Sequence, residues 1–264
     1  MCLYNHMNQQ EKTTAIEKLK SVMRDLRDPE TGCPWDKEQD FKSILKYTIE
    51  EAYEVADAIE QENFASLKDE LGDLLLQVIY HTQMADEQNL FTFDEVADQV
   101  AEKMVSRHPH VFGDMHATDS NAVNDIWDAQ KEKEVSGGAL DNVTKGLPAL
   151  LRAQKLQKKA AKTGFEWPSS SQAFEKIEEE INEFKEAKSP GHREEELGDI
   201  LYALANYARM EGIDAEEALR KTNNKFLTRF QGMEKDADAS NQNFKDLSLD
   251  EMLASWSNQK PDNK

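Results

Sequence analysis

The chain has 264 residues, of which 38% are hydrophobic and 32% are charged, and its formal net charge is −20 at pH 7. This acidity argues against binding to a nucleic-acid backbone, which requires a basic face, although metal ions can join carboxylates to a phosphate ligand. The two cysteines give no disulfide framework, no stretch reaches about 18 apolar residues and the N-terminus has no signal-peptide pattern, so we expect a cytoplasmic protein without a membrane segment.

Helical periodicity dominates the chain, with apolar residues recurring at three- and four-residue steps. The first helical segment, 12–29, ends at Pro29 and Gly32, and Thr92 is a suitable N-cap for a segment that stops before Pro109. The other predicted helices are 41–61, 65–88 and 94–107 in the first half, and 149–162, 171–188, 193–211, 214–235 and 247–257 in the second. No strand pattern is convincing, so the predicted class is all-α.

The helix predicted over 65–88 has two apolar faces. The main stripe, predicted to face the core, consists of Leu67, Leu71, Leu74, Leu75 and Val78. The opposite face carries Leu76, Tyr80 and Met84 at i, i+4 and i+8. This second face predicts a second partner, which is either the other half of the chain or a second copy in a homodimer.

The chain is predicted to be two copies of one four- to five-helix unit. Residues 131–147 mix charge, Ser and Gly without periodicity, which predicts a linker between an N-terminal domain, 1–130, and a C-terminal domain, 148–264. Polar and aromatic positions recur in the same order at separations of 122 to 129 residues: Glu51 and Glu180, Glu54 and Glu183, Glu70 and Glu196, Asp73 and Asp199, Lys103 and Lys225, Arg107 and Arg229, and Trp127 and Trp256. Small changes of separation around a fixed order indicate a duplication.

The repeated acids border the apolar faces of their helices. Each helix carries its two acids at i and i+3, so both carboxylates project from one side, and Glu51 lies within about 20° of its apolar arc at 100° per residue. Two antiparallel helices would bring four carboxylates together. Like charges about 4 Å apart repel by roughly 4 kcal/mol at an effective dielectric near 20, so this cluster needs cations or shifted pKa values. Oxygen ligands favour Mg²⁺ or Mn²⁺.

Two other interpretations of the acids were weighed. A single E-E-x-x-E on a helix is most often a solvated face, but the recurrence of the whole arrangement favours a site. A di-iron carboxylate bundle requires Glu-x-x-His on two helices, and none of the six histidines follows a Glu by three residues. The sequence therefore predicts a carboxylate site for a hard divalent cation.

The motifs taken together resemble the two-domain MazG-type nucleoside triphosphate pyrophosphohydrolases, which are all-α. They are GCPWDKEQ, EEAYEV, ELGDLL and RHPHVF in the first half and GFEW, ELGDIL and NKFLTRF in the second. The resemblance covers nearly the whole chain and implies Mg²⁺-dependent hydrolysis of ribo- or deoxyribonucleoside triphosphates to monophosphate and pyrophosphate, in a homodimer that lowers the level of such triphosphates. It implies that the metal ligands are Glu51, Glu54, Glu70 and Asp73 in the first half, and Glu180, Glu183, Glu196 and Asp199 in the second.

Catalytic and nucleotide-binding roles are also predicted for further acidic, basic and aromatic residues. Glu50 and Glu179, the first acid of each pair, could orient or deprotonate the water that attacks the α-phosphorus. Phosphate contacts are expected from Lys225, Arg229, Lys103 and Arg107. Trp256 and Trp167 could stack on a base, with Trp127 and Trp35 as their first-half counterparts, although core packing of a single Trp is as common. In two-domain members of the family the C-terminal half is the expected catalyst, and the same is expected here.

Two functions of other kinds remain open at this point. One is an acidic helical protein-interaction module without catalysis, in which the repeat provides bivalency. The other is a metal-dependent hydrolase that releases single phosphates. The sequence contains no P-loop, so a motor-type or switch-type ATPase is not predicted.

Overall fold

The structure, a computed structural model, describes residues 14–133 and 137–260. Regular structure within these ranges is helical and no strand is present, so the predicted all-α class is confirmed. The chain divides into two compact units, Met1–Glu134 and Val135–Lys264, which we call the first and the second unit. The domain boundaries predicted from the sequence stay a prediction, since residues 134–136 of the predicted linker lie outside the described ranges.

The first unit is built on a helical hairpin. Asp40 begins α3 with a capping box, and the short connection 61–63 returns the chain so that α4 packs along α3. The predicted N-cap, Thr92, begins α5 in the same way. The helices of this unit are α1 (Ala15–Leu26), α2 (Pro34–Glu38), α3 (Phe41–Glu60), α4 (Phe64–Glu87), α5 (Phe93–Arg107), α6 (Pro109–Phe112) and α7 (Ser120–Lys133).

The core of the first unit lies on the face of α4 that the sequence assigned to a second partner. Tyr80 and Met84 are buried there with Met23 of α1, and Leu76 packs against them. The prediction that the leucine stripe of α4 forms the core is wrong, because Leu71, Leu75 and Val78 are between 38% and 50% exposed and the rest of the stripe is only half-buried. The physical reason is that α1 crosses the opposite face of α4, and periodicity alone does not show which apolar face receives that neighbour.

The second unit repeats the hairpin. Its helices are α8 (Ala149–Lys162), α9 (Ser170–Glu186), α10 (Pro190–Met210), α11 (Ala215–Ala239) and α12 (Leu249–Asn258), with a 3-10 turn at Phe244–Asp246. Ser189 caps α10 after a short connection from α9, and α10 packs along both α9 and α8. Gln154 of α8 joins neighbouring segments, since its Nε2 donates to Ala205 O at 3.2 Å and to Ile213 O at 2.8 Å, and its Oε1 accepts from Ala215 N at 3.2 Å.

Three helices were not predicted from the sequence. α2 and α6 are short and begin at Pro34 and Pro109, which suit the first position of a helix because its N–H has no intrahelical partner. α7 is mostly polar and extends to Lys133, into the segment predicted as linker. None of the helices in the described ranges is both long and apolar enough to cross a membrane.

We predict that Met84→Ala destabilises the first unit by about 2–5 kcal/mol, because it leaves a cavity in the buried cluster. Chemical denaturation followed by circular dichroism measures this change. The control is Phe64→Ala, at a residue that is 76% exposed and should change stability by less than about 0.5 kcal/mol. Equal losses in the two variants would contradict this assignment of the core.

Candidate active site

The acids of the second unit converge where α9 packs on α10. Carboxylate oxygens of Glu180, Glu183 and Glu196 all lie within 4.8 Å of one another. Glu180 and Glu183 are one helical turn apart on α9, and Glu196 faces them from α10. Glu180 is 6% exposed and Glu196 9% exposed, so these two acids lie at the packed helix interface, whereas Glu183 is exposed to solvent. Three of the four acids predicted for this unit are therefore brought together.

The crowding of these carboxylates changes their affinity for protons. Local desolvation by the neighbouring helix atoms, together with the nearby carboxyl groups of Glu180 and Glu196, raises the pKa of the exposed Glu183 above its ordinary value. The folded state then binds this proton more tightly than the unfolded chain. Its stabilising contribution is present at low pH and is lost as the pH rises through the raised pKa. A bound cation would offset the same repulsion at neutral pH.

Lys176 and His192 were not singled out from the sequence as members of this site. The Lys176 Nζ lies 2.8 Å from Oε1 of both Glu179 and Glu180, and these contacts raise the pKa of the lysine. The His192 Nε2 lies 2.9 Å from Glu196 Oε1. Each of these bases precedes a cluster acid by one helical turn, so the i, i+4 spacing to Glu180 and Glu196 was a signal that could have found them.

The first unit has an equivalent acidic cluster between α3 and α4. Carboxylate oxygens of Glu51, Glu70 and Asp73 lie within 4.8 Å of one another. Burial, followed by repulsion from Asp73 and Glu54, raises the pKa of Glu51, and burial followed by the Glu54 carboxyl raises that of Glu70. Glu54 therefore lies close to the cluster, as its spacing predicts. Glu50 is exposed on α3.

A cavity of about 390 Å³ lies next to the acidic cluster of the second unit. Glu180 is the one member of that cluster that lines it, together with Asp199 and Lys176. This volume is within the range of small-molecule sites. Besides small residues, its lining includes aromatic, amide and charged side chains: Phe165, Trp167, Tyr202, Gln157, Asn206, Glu166 and Arg209. Asp199, the fourth predicted acid, thus lies at the cavity, although it is not part of the closely spaced group of three.

The loop that follows α8 forms one wall of this cavity. Gly164 has a φ of +91°, a conformation that L side chains rarely adopt, and it turns the chain toward Phe165 and Trp167. Glu166 holds the loop, because its carboxylate accepts from Arg209 Nη2 at 2.7 and 2.6 Å and from the Trp167 N–H at 3.0 Å. The backbone of the predicted base-stacking residue Trp167 is therefore held beside the cavity that this residue lines.

Of the predicted phosphate-binding cations, the two arginines lie over tryptophan rings. The Arg229 guanidinium lies over the Trp256 ring, 5.4 Å from its centroid, and Arg107 lies over Trp127 at 5.1 Å in the first unit. Lys225, Arg229 and Trp256 are not among the residues that line the 390 Å³ cavity. Lys225 and Lys103 are exposed on their helices. The roles predicted for these residues, and for Glu50 and Glu179, stay predictions.

The donor set of both clusters suits a hard divalent cation. All ligand atoms are carboxylate oxygens, and the closely spaced sets among the described residues contain neither Cys nor His. Oxygen ligands of this kind favour Mg²⁺ or Mn²⁺ over Zn²⁺ and copper. A separation of no more than 4.8 Å between the oxygens allows one ion to contact several of them. The residues present therefore fit a metal site.

Comparison with known proteins identifies relatives over most of the chain. Residues 39–112 and 169–232 match the family described as MazG nucleotide pyrophosphohydrolase domain. The chain is 44% identical to a nucleoside triphosphate pyrophosphohydrolase of Escherichia coli (strain K12), over 91% of this chain and 95% of that protein. It is 40% identical to the nucleoside triphosphate pyrophosphohydrolase/pyrophosphatase MazG of Thermotoga maritima, over 91% and 94%. The two matched segments contain the two acidic clusters.

We predict that Glu183→Gln raises the melting temperature of the metal-free protein, because it removes one of the crowded negative charges. The same variant should gain less on Mg²⁺ addition than the wild type, which gains about 2.7 kcal/mol when Mg²⁺ is at 100 times its Kd. Differential scanning calorimetry with and without Mg²⁺ measures both effects. Glu178→Gln, at an exposed position of α9, is the control and should behave as the wild type does. A lower metal-free melting temperature for Glu183→Gln alone would contradict the prediction.

Proposed function

The chain belongs to the MazG nucleotide pyrophosphohydrolase family, and from that premise we propose that it hydrolyses nucleoside triphosphates to monophosphate and pyrophosphate with Mg²⁺ as its cofactor. Ribo- and deoxyribonucleotides are both included as substrates, and Mn²⁺ is proposed as a substitute ion. One observation carries the proposal. A cluster of carboxylates adjoins a cavity with aromatic walls, which supports a metal–phosphate site beside a space for a nucleoside.

The metal would be held by Glu180, Glu183 and Glu196, with Asp199 at the edge of the cavity. In the first unit the corresponding ligands would be Glu51, Glu54, Glu70 and Asp73. When bound, Mg²⁺ would neutralise triphosphate charge and lower the pKa of a coordinated water. A pyrophosphohydrolase needs this help, since a triphosphate and an acidic cluster repel each other.

The chain itself would position the nucleophile and the leaving group. A water attacks the α-phosphorus, the bond from that phosphorus to the α,β-bridging oxygen breaks, and the pyrophosphate leaves with the bond electrons. Glu179 is proposed to accept a proton from the water, because its carboxylate and that of the proposed metal ligand Glu180 both lie 2.8 Å from Lys176 Nζ and are therefore neighbours. Lys176 is a cation at this cavity and can exchange its carboxylate partners for phosphate oxygens. Lys225 and Arg229 are proposed as further phosphate ligands.

We assign catalysis to the second unit, with the first as a weaker or specialised copy. The position that corresponds to Lys176, 129 residues earlier, is Tyr47. Glu50 therefore lacks the lysine that flanks Glu179. The neighbouring Lys46 lies over the Tyr47 ring, 4.6 Å from its centroid. A cation beside the acids is useful for a phosphate substrate, and this difference favours the second unit.

We propose that the protein forms a homodimer, in which the second chain covers the exposed apolar faces of α4 and α10 beside the acids. Leu197, Leu201 and Leu204 of α10 are between 43% and 49% exposed, and Leu71 and Leu75 of α4 form the matching face of the first unit. A soluble monomer rarely exposes contiguous apolar surfaces of this kind. Two such helical hairpins from two chains would form a four-helix bundle around the acids.

We predict that a mixture of nucleoside triphosphates yields monophosphates and pyrophosphate in the presence of Mg²⁺, and that a chelator abolishes the reaction. Ion-exchange chromatography identifies the products. Glu183→Gln should lower kcat by about 100-fold or more, because it removes a cluster carboxylate on which metal-dependent charge stabilisation relies.

The matched control is Glu54→Gln, the corresponding change in the first unit, which should retain most of the activity. Loss of activity in Glu54→Gln rather than in Glu183→Gln would move catalysis to the first unit. Release of single phosphates would indicate a different hydrolase. If no triphosphate is hydrolysed, the alternative of an acidic protein-interaction module without catalysis would be favoured.

We predict a solution mass of twice the chain mass of 30.1 kDa by light scattering. Leu201→Asp and its first-unit counterpart Leu75→Asp, combined, should shift the protein to the monomer, because each charge lies on an exposed apolar face. Leu249→Asp, at an exposed position of α12, should leave the mass unchanged. A monomeric wild type would mean that the faces are covered within one chain.

A further inference from the structure

An ion pair ties the loop that follows α8 to α10 in the second unit. The Glu166 carboxylate accepts from Arg209 Nη2 through both of its oxygens, at 2.7 and 2.6 Å, and the two side chains are 31% and 16% exposed. Asn206, one turn earlier on α10, accepts from Arg209 Nε at 3.1 Å and thereby holds the guanidinium on its helix. The loop is therefore joined to α10 by a charge-assisted contact that is partly shielded from water.

Glu166 also holds the backbone of its own loop. Its Oε1 accepts from the Trp167 N–H at 3.0 Å as well as from Arg209, so one carboxylate joins α10 to the chain that follows it. On the other side of Glu166, the Phe165 N–H donates to Ala160 O at 3.2 Å, near the end of α8. The short segment from Phe165 to Trp167 is thus anchored to both α8 and α10.

The two aromatic residues on either side of Glu166 are open at the cavity. Phe165 is 84% exposed and Trp167 is 42% exposed, and both line the 390 Å³ cavity. Because these side chains have accessible surface, a molecule in the cavity can contact them. Aromatic side chains of this kind stack on nucleobases. Where they lie relative to Lys176, which lines the same cavity next to the acids, depends on the course of the loop.

The first unit holds its corresponding loop in a different way. At the separation between the tryptophans of the two loops, the residue in place of Glu166 is Pro34, which has no carboxylate. That loop is held by Arg27 of α1, whose Nη1 donates to the backbone oxygens of two loop residues. Arg27 itself pairs with Glu87 of α4 through two bonds of 2.8 Å. The second unit therefore differs because its loop supplies one partner of the ion pair, between the two aromatic residues.

We infer that Glu166 and Arg209 are positioning residues for the nucleoside part of the triphosphate. Their ion pair holds Phe165 and Trp167 where a base can stack while the phosphates lie at Lys176 and the acids. This inference rests on the proposed function. Both residues act through the loop, so loss of the pair weakens the binding of a ligand that has a base and spares a ligand that has none.

The test compares two ligands in the presence of Mg²⁺ by isothermal titration calorimetry. α,β-Methylene ATP has a base and cannot release pyrophosphate, because a methylene group replaces the α,β-bridging oxygen, whereas tripolyphosphate has no nucleoside. Glu166→Met, which removes the carboxylate, should raise Kd for α,β-methylene ATP about 5- to 20-fold, as expected when base stacking is weakened. Kd for tripolyphosphate should change less than about twofold, because the loop is separate from the acidic cluster.

Arg209→Met and the double variant with both changes extend the test. Each should raise Kd for α,β-methylene ATP by the same factor as Glu166→Met, because all three variants remove one shared interaction. A double variant whose effect equals the product of the two single effects would show that the residues act independently, and it would overturn the inference. An equal rise of Kd for both ligands in Glu166→Met, or an unchanged Kd for α,β-methylene ATP, would overturn it as well.

Glu87→Met is the matched control from the first unit, since Glu87 forms an equally close ion pair with Arg27. This variant should lower the melting temperature and leave Kd for both ligands unchanged. A rise of Kd for α,β-methylene ATP as large as that in Glu166→Met would mean that a general loss of stability weakens binding, and the positioning role would be removed.

Hydrolysis of ATP, measured separately, distinguishes failure of this inference from failure of the proposed function. A selective loss of α,β-methylene ATP binding, in a protein that does not hydrolyse ATP, would support the positioning role and remove the proposed reaction. Hydrolysis by the wild type, with unchanged Kd values in every variant, would support the reaction and remove the positioning role.

Discussion

The structure depends on one constraint, which is that packed helices hold like charges together. The apolar residues of α9 and α10 bring their backbones close, and the acids at the borders of those faces are carried inward with them. A solvated helix could turn such acids apart at little cost, but a packed hairpin cannot. The repulsion is therefore a lasting property of the fold, and both the raised carboxyl pKa values and the suitability of the cluster for a cation follow from it.

The same constraint explains which parts of the site could be predicted from the sequence. Acids at i and i+3 on an apolar helix share a side whatever the tertiary structure, and the repeat showed that Glu51 and Glu180 are equivalent. The all-α class followed in the same way from periodicity over long segments. Lys176 carried a comparable signal, because it precedes Glu180 by one turn, but a single lysine on a charged helix is not distinctive.

Other features could not be predicted, because they depend on which elements meet. The two faces of α4 are both apolar, and only the position of α1 determines that Tyr80 and Met84 form the core while Leu71 stays open. The cavity of the second unit needs the turn at Gly164 and the ion pair between Glu166 and Arg209, which are 43 residues apart in the chain. No local pattern links such residues.

The ion pair behind one wall of the cavity also has a consequence for the entropy of binding. A flexible surface loop loses conformational freedom when it contacts a ligand, and that loss weakens association. Here Arg209 restrains the loop after α8 through the Glu166 carboxylate before any molecule enters. The conformational cost was met when the second unit folded. A molecule that enters this cavity therefore contacts a loop that is already ordered, and the protein loses less conformational entropy than it would with a free loop.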